Sequence, residues 1–385
     1  MNDKARSFSD VPAVARSLAP SYPVYCVRPQ VLMENAKRFI SLFPGTVLYA
    51  VKCNPSPLIM EALYKGGVRH FDTASLPEIA QICETFKDAK AYFMHPVKGR
   101  AVIKSAYKVY GIRTYVVDHM SELEKVFRET GGEGLEIVVR LFTPPSKGTL
   151  YHLAEKFGAP PAEAAEILRA AAGRGAKVGI AFHVGSQCGD PRAYREALHL
   201  VGETLEMAGV EPICVDVGGG FPADYRDTVL PPLEDYMAEI RAGVKDIKLK
   251  PTVELMAEPG RVLVAGGCSL LTQVQLRKGD RLYINDGVYG SLSEAVQAGI
   301  RQQARLIRLD EPCSDELKGF WLNGPTCDSL DVLPETYALP IDAREGDWIE
   351  IDQVGAYSNA LASHFNGFFP ETYVQVSDPP PAAEL

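Results

Sequence analysis

The sequence predicts a (β/α)8 barrel followed by a mostly-β domain, an α/β fold overall, on three observations. Apolar, β-prone runs end near Lys52, Asp72, Met94, Asp118, Arg140, His183, Val217 and Glu258. Helical patterns fill the gaps, at about 57–66, 77–86, 99–109, 121–130, 160–174, 191–208 and 233–245. After about residue 262 the rhythm gives way to short β-prone runs punctuated by turn residues. Alternation of this kind over roughly 230 residues is the signature of a barrel of parallel strands. A doubly wound open sheet is the competing arrangement, but no GxGxxG-like turn follows the first strand.

The first ~25 residues end in a short strand, Pro23 to Val27, and a helix runs from Pro29 to about Leu42. The run Thr46 to Val51 then ends on Lys52, Asn54-Pro55 breaks it, and Pro57 opens a helix. A lysine at the mouth of a buried strand rests on apolar packing, where a neutral amine is easier to reach; Schiff-base lysines arise this way, although lysine also ends many surface strands. The connection from Phe142 to about Pro160 is long enough to be a functional rim loop or a plain variable one. The later β-prone runs lie near 262–265, 270–275, 281–284, 303–308, 319–322 and 347–351. The expected domains are a barrel over 28–261 and a sheet domain over 262–385, joined by the N-terminal strand within 1–27. The tail from Asp378 through three prolines to Ala382 is expected to be disordered.

Composition narrows the function. A net charge of −9 over 385 residues argues against nucleic-acid or anionic-membrane partners. No apolar run is long enough to span a bilayer, and the polar start lacks a secretory pattern. The 8 cysteines are scattered without a CxxC pair. They fit a reduced, cytoplasmic chain without a zinc or other metal site.

In a barrel the chemistry sits at the C-terminal strand ends, so Lys52, Asp72, His95, Asp118, Arg140, His183, the Gly218-Gly219-Gly220 loop, Glu258 and Arg261 should converge. Three successive glycines let the backbone approach an anion; a tight turn alone explains one glycine better than three. Glu258 and Arg261 flank Pro259-Gly260 and form either a surface ion pair or a divided pair, the acid on a pyridine nitrogen and the guanidinium on a phosphate. His183 beside Gly185-Ser186 is either a satisfied core histidine or a ring that stacks on a flat ligand. Taken alone, Cys327-Asp328 after Gly324-Pro325 and Tyr357 after Gly355 sit on ordinary turns.

Together and in order, these stretches resemble the alanine-racemase-like, fold type III pyridoxal-phosphate enzymes, specifically the ornithine/lysine decarboxylase group. YAVKCNP, FDTAS with Glu78, KFGAP, HVGSQ, DVGGGFP, EPGR, NDGVYGS, GPTCDSLD, GAYS and FNGF carry the match from about residue 22 to 373. The resemblance implies that Lys52 binds pyridoxal phosphate covalently, that His183 stacks on its ring and that Glu258 keeps its pyridine nitrogen protonated. It assigns the phosphate to Ser186, Gly218, Gly219, Gly220, Gly260, Arg261 and Tyr357, and gives Asp72, Glu78 and Arg140 supporting places. Cys327 would protonate the carbanion left by CO₂ loss, and Asp328, with Tyr289, would meet the substrate's distal amine. Both would reach across a two-fold interface, making the enzyme a homodimer with shared sites that acts in polyamine synthesis.

The resemblance thins at the substrate. The group's second acid for the distal amine falls at Ala298, about a dozen residues past Asp286. Glu294, one helical turn earlier, is either its substitute or a solvated surface residue. His95 stands where a small polar residue is common. L-ornithine or a related diamino acid is therefore the expected substrate, with lysine, a carboxylated polyamine or a non-basic amino acid as alternatives. Diaminopimelate decarboxylases prefer a glutamate where Asp328 stands. A non-catalytic, decarboxylase-like regulator is the reading from another class, and a racemase a third.

Overall fold

The computed structural model describes residues 5–144, 156–226 and 228–381. Eight parallel strands close into a barrel in simple sequence order: β3 (Thr46–Ala50), β4 (His70–Thr73), β5 (Lys90–Phe93), β6 (Thr114–Val117), β7 (Glu136–Arg140), β8 (Lys177–Ala181), β9 (Cys214–Asp216) and β10 (Glu254–Ala257). β10 closes on β3, with Met256 opposite Thr46. The strands are buried on both faces, as their nearly continuous apolar runs require. Leu48, Tyr92, Met94, Val116, Val138, Cys214 and Met256 point inward and pack as one cluster. Their chain neighbours face an outer layer of helices: α3 (Pro57–Lys65), α4 (Leu76–Thr85), α5 (Arg100–Lys108), α6 (Met120–Thr130), α7 (Pro161–Gly173), α8 (Arg192–Ala208) and α9 (Leu233–Asp246). Ser75 caps α4 by accepting from the Glu78 N–H at 3.4 Å, while Glu78 accepts from the Ala74 N–H at 2.7 Å. These two bonds, a variant of the capping box, fix the turn directly after Asp72.

The second layer is a nine-stranded sheet. It combines β1 (Ser7–Phe8), β2 (Val24–Val27), β11 (Cys268–Lys278), β12 (Arg281–Ile284), β13 (Ala304–Ile307), β14 (Leu317–Asn323), β15 (Val332–Pro340), β16 (Trp348–Ile351) and β17 (Thr372–Val376). β2 lies between β17, with which it is parallel, and β11, with which it is antiparallel. β11 pairs with β2 and β16 through its first half and with β12 through its second, turning at an irregularity between Val274 and Leu276.

Several elements differ from expectation, and strands β1, β15 and β17 lie where no strand was expected. Residues 262–264 are helical, in α10 (Arg261–Val264), and Ala265 opens a 3-10 turn to Gly267, despite the two valines of the run. They follow Gly260 directly off the barrel, and packing overrides propensity. Helix α1 (Val11–Leu18) was not expected; Asp10 caps it, accepting from the Ala13 N–H at 2.7 Å. The tail is tied down at Asp378, which pairs with buried Arg28 at 3.3 Å. Residues 382–385 and the centre of the Phe142–Pro160 connection lie outside the described residues. Among the described residues no helix is long and apolar enough to cross a membrane, and no His, Cys, Asp and Glu cluster could hold a metal ion.

Candidate active site

The strand ends surround a cavity of 460 Å³. Lys52, Asp72, His95, Arg140, His183, Ser186, Gly219, Gly220, Glu258, Gly260, Arg261, Glu294 and Tyr357 all line it.

β3 ends in a single 3-10 turn, Val51–Cys53, which buries Val51 and Cys53 and leaves Lys52 facing the cavity. Its Nζ lies 2.5 Å from Asp72 Oδ2; the lysine is half-exposed and the aspartate buried. Burial disfavours the ammonium, but Asp72 and Glu258 outweigh it and hold Lys52 above its ordinary pKa. This corrects the expectation that apolar packing eases proton loss there.

Glu258 ends β10. Burial, and then Asp216 and Asp72, push its carboxyl well above the usual range. Asp216, at the end of β9, is pushed up to about 7, first by burial. One Asp216 oxygen accepts from the Gly218 N–H at 2.8 Å, and its carboxyl also meets that of Glu258. Two crowded acids of this kind retain a proton at neutral pH.

His183 is driven well below its ordinary pKa by burial, Arg140 and Lys52, so its ring is neutral. Nδ1 accepts from the Gly185 N–H at 3.0 Å, which leaves the proton on Nε2. Arg140 lies 5.2 Å from the Phe157 ring centroid, and His95 meets the same ring edge-on at 5.5 Å.

Glycine backbone and Arg261 form another part of the cavity lining. A Cβ at Gly219 would stand 2.7 Å from the Glu258 carbonyl oxygen and 3.1 Å from His183 Nε2, so only glycine fits. Gly218 and Gly220 take φ of +67° and +101°, in the left-handed region that favours glycine. Gly260 packs closely on Cys53 and Ala50. Arg261 reaches Ser186 Oγ at 3.3 Å and lies 5.0 Å from the Tyr357 ring centroid. Its Nε is buried without a hydrogen-bond partner.

Glu294 was expected either to meet substrate or to face solvent. It does not face solvent: in the short helix α11 (Ser293–Gln297) it is buried, lines the cavity and grips Arg261, with both oxygens at 2.7 Å from the two Nη atoms. Tyr225, whose hydroxyl accepts from Arg261 Nη1 at 2.9 Å, carried no sequence signal in its polar loop. Lys156, Phe157, Gln297 and Leu361 also line the cavity. The first two were legible only as part of KFGAP.

Cys327, Asp328 and Tyr289 are not in this cavity. Cys327 is exposed, and with Asp328 it lines a second cavity of 920 Å³ that shares no residue with the first. The Tyr289 hydroxyl donates to Asp328, whose carboxyl it holds below the usual range.

The barrel's strand ends thus bring together a lysine, a proton-retaining acid, a neutral imidazole, a bare glycine backbone and an arginine. The residues fit pyridoxal phosphate: the partnerless Arg261 Nε and the bare backbone at Gly219 suit its phosphate, and Glu258 suits its ring nitrogen. Residues 30–265 match the family described as pyridoxal-dependent decarboxylase, pyridoxal binding domain. The chain belongs to that family and is a pyridoxal-phosphate-dependent decarboxylase. It is 32% identical to the ornithine decarboxylase of Panagrellus redivivus, over 86% of this chain and 80% of the relative. It is equally, at 32%, similar to antizyme inhibitor 2 of Xenopus laevis, over 86% and 76%. The solved lysine/ornithine decarboxylase of Vibrio vulnificus, complexed with putrescine, superposes with a TM-score of 0.82 at 30% identity, covering 95% of this chain and 97% of that one.

Proposed function

We propose that this chain converts L-ornithine, or a closely related diamino acid, to a diamine in the cytoplasm, and that two copies of the chain share each site. The separation of Cys327 and Asp328 from the cavity that holds Lys52 supports the sharing of each site. A single chain has the cofactor residues in one place and the proton donor and substrate carboxylate in another. A symmetric pair with a self-complementary interface brings one copy's loop to the other's cavity. The two bodies assigned are the barrel, 28–261, and the sheet, 1–27 with 262–385.

Bound pyridoxal phosphate supplies an electron sink for the pair left on Cα when CO₂ departs. Lys52 is the anchoring amine, and Asp72, 2.5 Å from Nζ, steadies its proton. Glu258 faces the ring nitrogen as an acid whose burial makes it share a proton rather than shed it. His183 offers a flat, neutral face for stacking, and Arg140 supports the same wall. Ser186, the Gly218–Gly220 backbone, Gly260, Arg261 and Tyr357 hold the phosphate end. Cys327 of the second copy delivers a proton to Cα, and its Asp328, positioned by Tyr289, pairs with the substrate's distal ammonium.

Substrates other than ornithine have one observation in their favour. Ala298 offers no carboxylate, and Glu294 is engaged by Arg261, so Asp328 alone meets the distal cation. CO₂ release from ornithine, lysine, arginine, diaminopimelate and carboxylated polyamines, measured in parallel, decides among them. Lys52, Glu258, Arg261 and Cys327 are all present, which supports turnover over a purely regulatory role. The shared site has a separate test. Lys52→Ala and Cys327→Ala proteins, each inactive alone, should regain about a quarter of the activity when mixed, because half of randomly formed pairs carry one intact site. No recovery in pairs shown to have exchanged would remove the shared-site reading.

A further inference from the structure

We propose that Glu294 competes with the cofactor's phosphate for Arg261, and so sets how tightly this protein holds pyridoxal phosphate. The inference rests on the assignment of Arg261 to the phosphate.

A guanidinium has two hydrogen-bonding faces: an end, formed by Nη1 and Nη2, and a side, formed by Nε and Nη2. At Arg261 the end is filled by Glu294, with both contacts at 2.7 Å. The paired side chains are 3% and 6% exposed, so water screens the contact little. The side face carries Nε, buried with no partner, and Nη2, 3.3 Å from Ser186 Oγ. Ser186 and the Gly219-Gly220 backbone stand on the same cavity wall. An anion therefore has a free edge of Arg261 to approach, and the chain already keeps a carboxylate on the other edge.

The two anions oppose one another. A phosphate on the side face places its charge beside the Glu294 carboxylate, around a single cation and away from water. Either the carboxylate yields and α11 shifts with it, or it stays and the phosphate is held more weakly. Both routes make the affinity for phosphate lower than Arg261 alone would give. Because α11 also presents Gln297 to the cavity, cofactor binding and the position of this wall are linked.

Cofactor-free protein should be titrated with pyridoxal phosphate and, separately, with pyridoxal, which lacks the phosphate, following absorbance. Glu294→Gln should tighten pyridoxal phosphate binding by roughly tenfold or more and move pyridoxal by less than about twofold. Glu294→Asp, which keeps the charge but shortens its reach and leaves the buried arginine a counter-ion, should tighten it less. It serves if the glutamine variant does not fold. Weaker pyridoxal phosphate binding, or equal changes for both ligands, overturns the proposal, since a merely structural ion pair would affect them alike. Arg261→Ala separates the two assumptions. If it keeps the wild-type preference for the phosphorylated ligand, the phosphate assignment falls and the competition with it. If it loses that preference while Glu294→Gln is no tighter, the competition alone falls.

Discussion

At Lys52 two effects oppose each other. Burial costs the ammonium hydration, while Asp72 at 2.5 Å and Glu258 across the cavity repay it, and the charge wins. The amine proposed to anchor the cofactor is thus held as an ammonium. The sign of a mutation follows: removing the Asp72 charge lets Lys52 lose its proton at lower pH. For Asp72→Asn, the pH dependence of pyridoxal phosphate capture by cofactor-free protein should move down by about 1–3 units. Stopped-flow absorbance across pH measures it, and an unmoved profile would show that Asp72 does not set the state of Lys52. The lysine itself was legible because it ends an apolar strand. Its protonation was not, since Asp72 and Glu258 come from other strands, 20 and more positions away. Glu294 was illegible for the same reason: its partner lies 33 residues off, and no local pattern marks a buried pair.

The β5–α5 turn shows how one element holds the cavity wall. It carries His95, and Lys98 is buried beneath it. Lys98 Nζ donates to the carbonyl oxygens of His95 and Pro96 and, at 2.6 Å, of Val116 at the end of β6. Burial lowers its pKa to about 8, although Glu122, 3.1 Å away, pulls the other way. The unfolded chain keeps this proton to about pH 10.4, so between those values unfolding takes one up and stability rises with pH. The rise attributable to Lys98 is at most about 3 kcal/mol. Urea unfolding from pH 7 to 10.5 should show it, and Lys98→Met should flatten it. That variant leaves Glu122 paired with Lys125. Strand ends and helices of the barrel were legible to within a residue or two, because each alternation has its own period and most helices open on a proline or a side-chain cap. Residues 262–265 were misread because the same apolar run serves a strand or a short buried helix, and only packing decides.

For the whole molecule, the decisive contacts join the two ends of the chain. Arg28, directly after β2, is 1% exposed and donates to Ser269 of β11 at 2.9 Å, to Glu350 of β16 at 2.9 Å and to the Asp378 carbonyl oxygen at 3.1 Å. Glu350 also accepts from Ser269 at 2.7 Å and from Arg305 of β13 at 2.7 Å. Five segments that meet only in the fold are thus satisfied through one buried arginine and one buried glutamate. Nothing local announces such a network, and for this reason the tail was expected to be free. Its energetics are asymmetric. The intact pair offsets its own desolvation, whereas removal of one member strands the other charge in the interior. Glu350→Ala should therefore cost about 3–5 kcal/mol in denaturant unfolding, while truncation after Val376 should cost about 1–3 kcal/mol, because Arg28 keeps Glu350 and Ser269. The two changes share Arg28, so their costs should not add. Equal small costs that do add would mean that the chain ends are held by strand pairing, and that the charges contribute nothing.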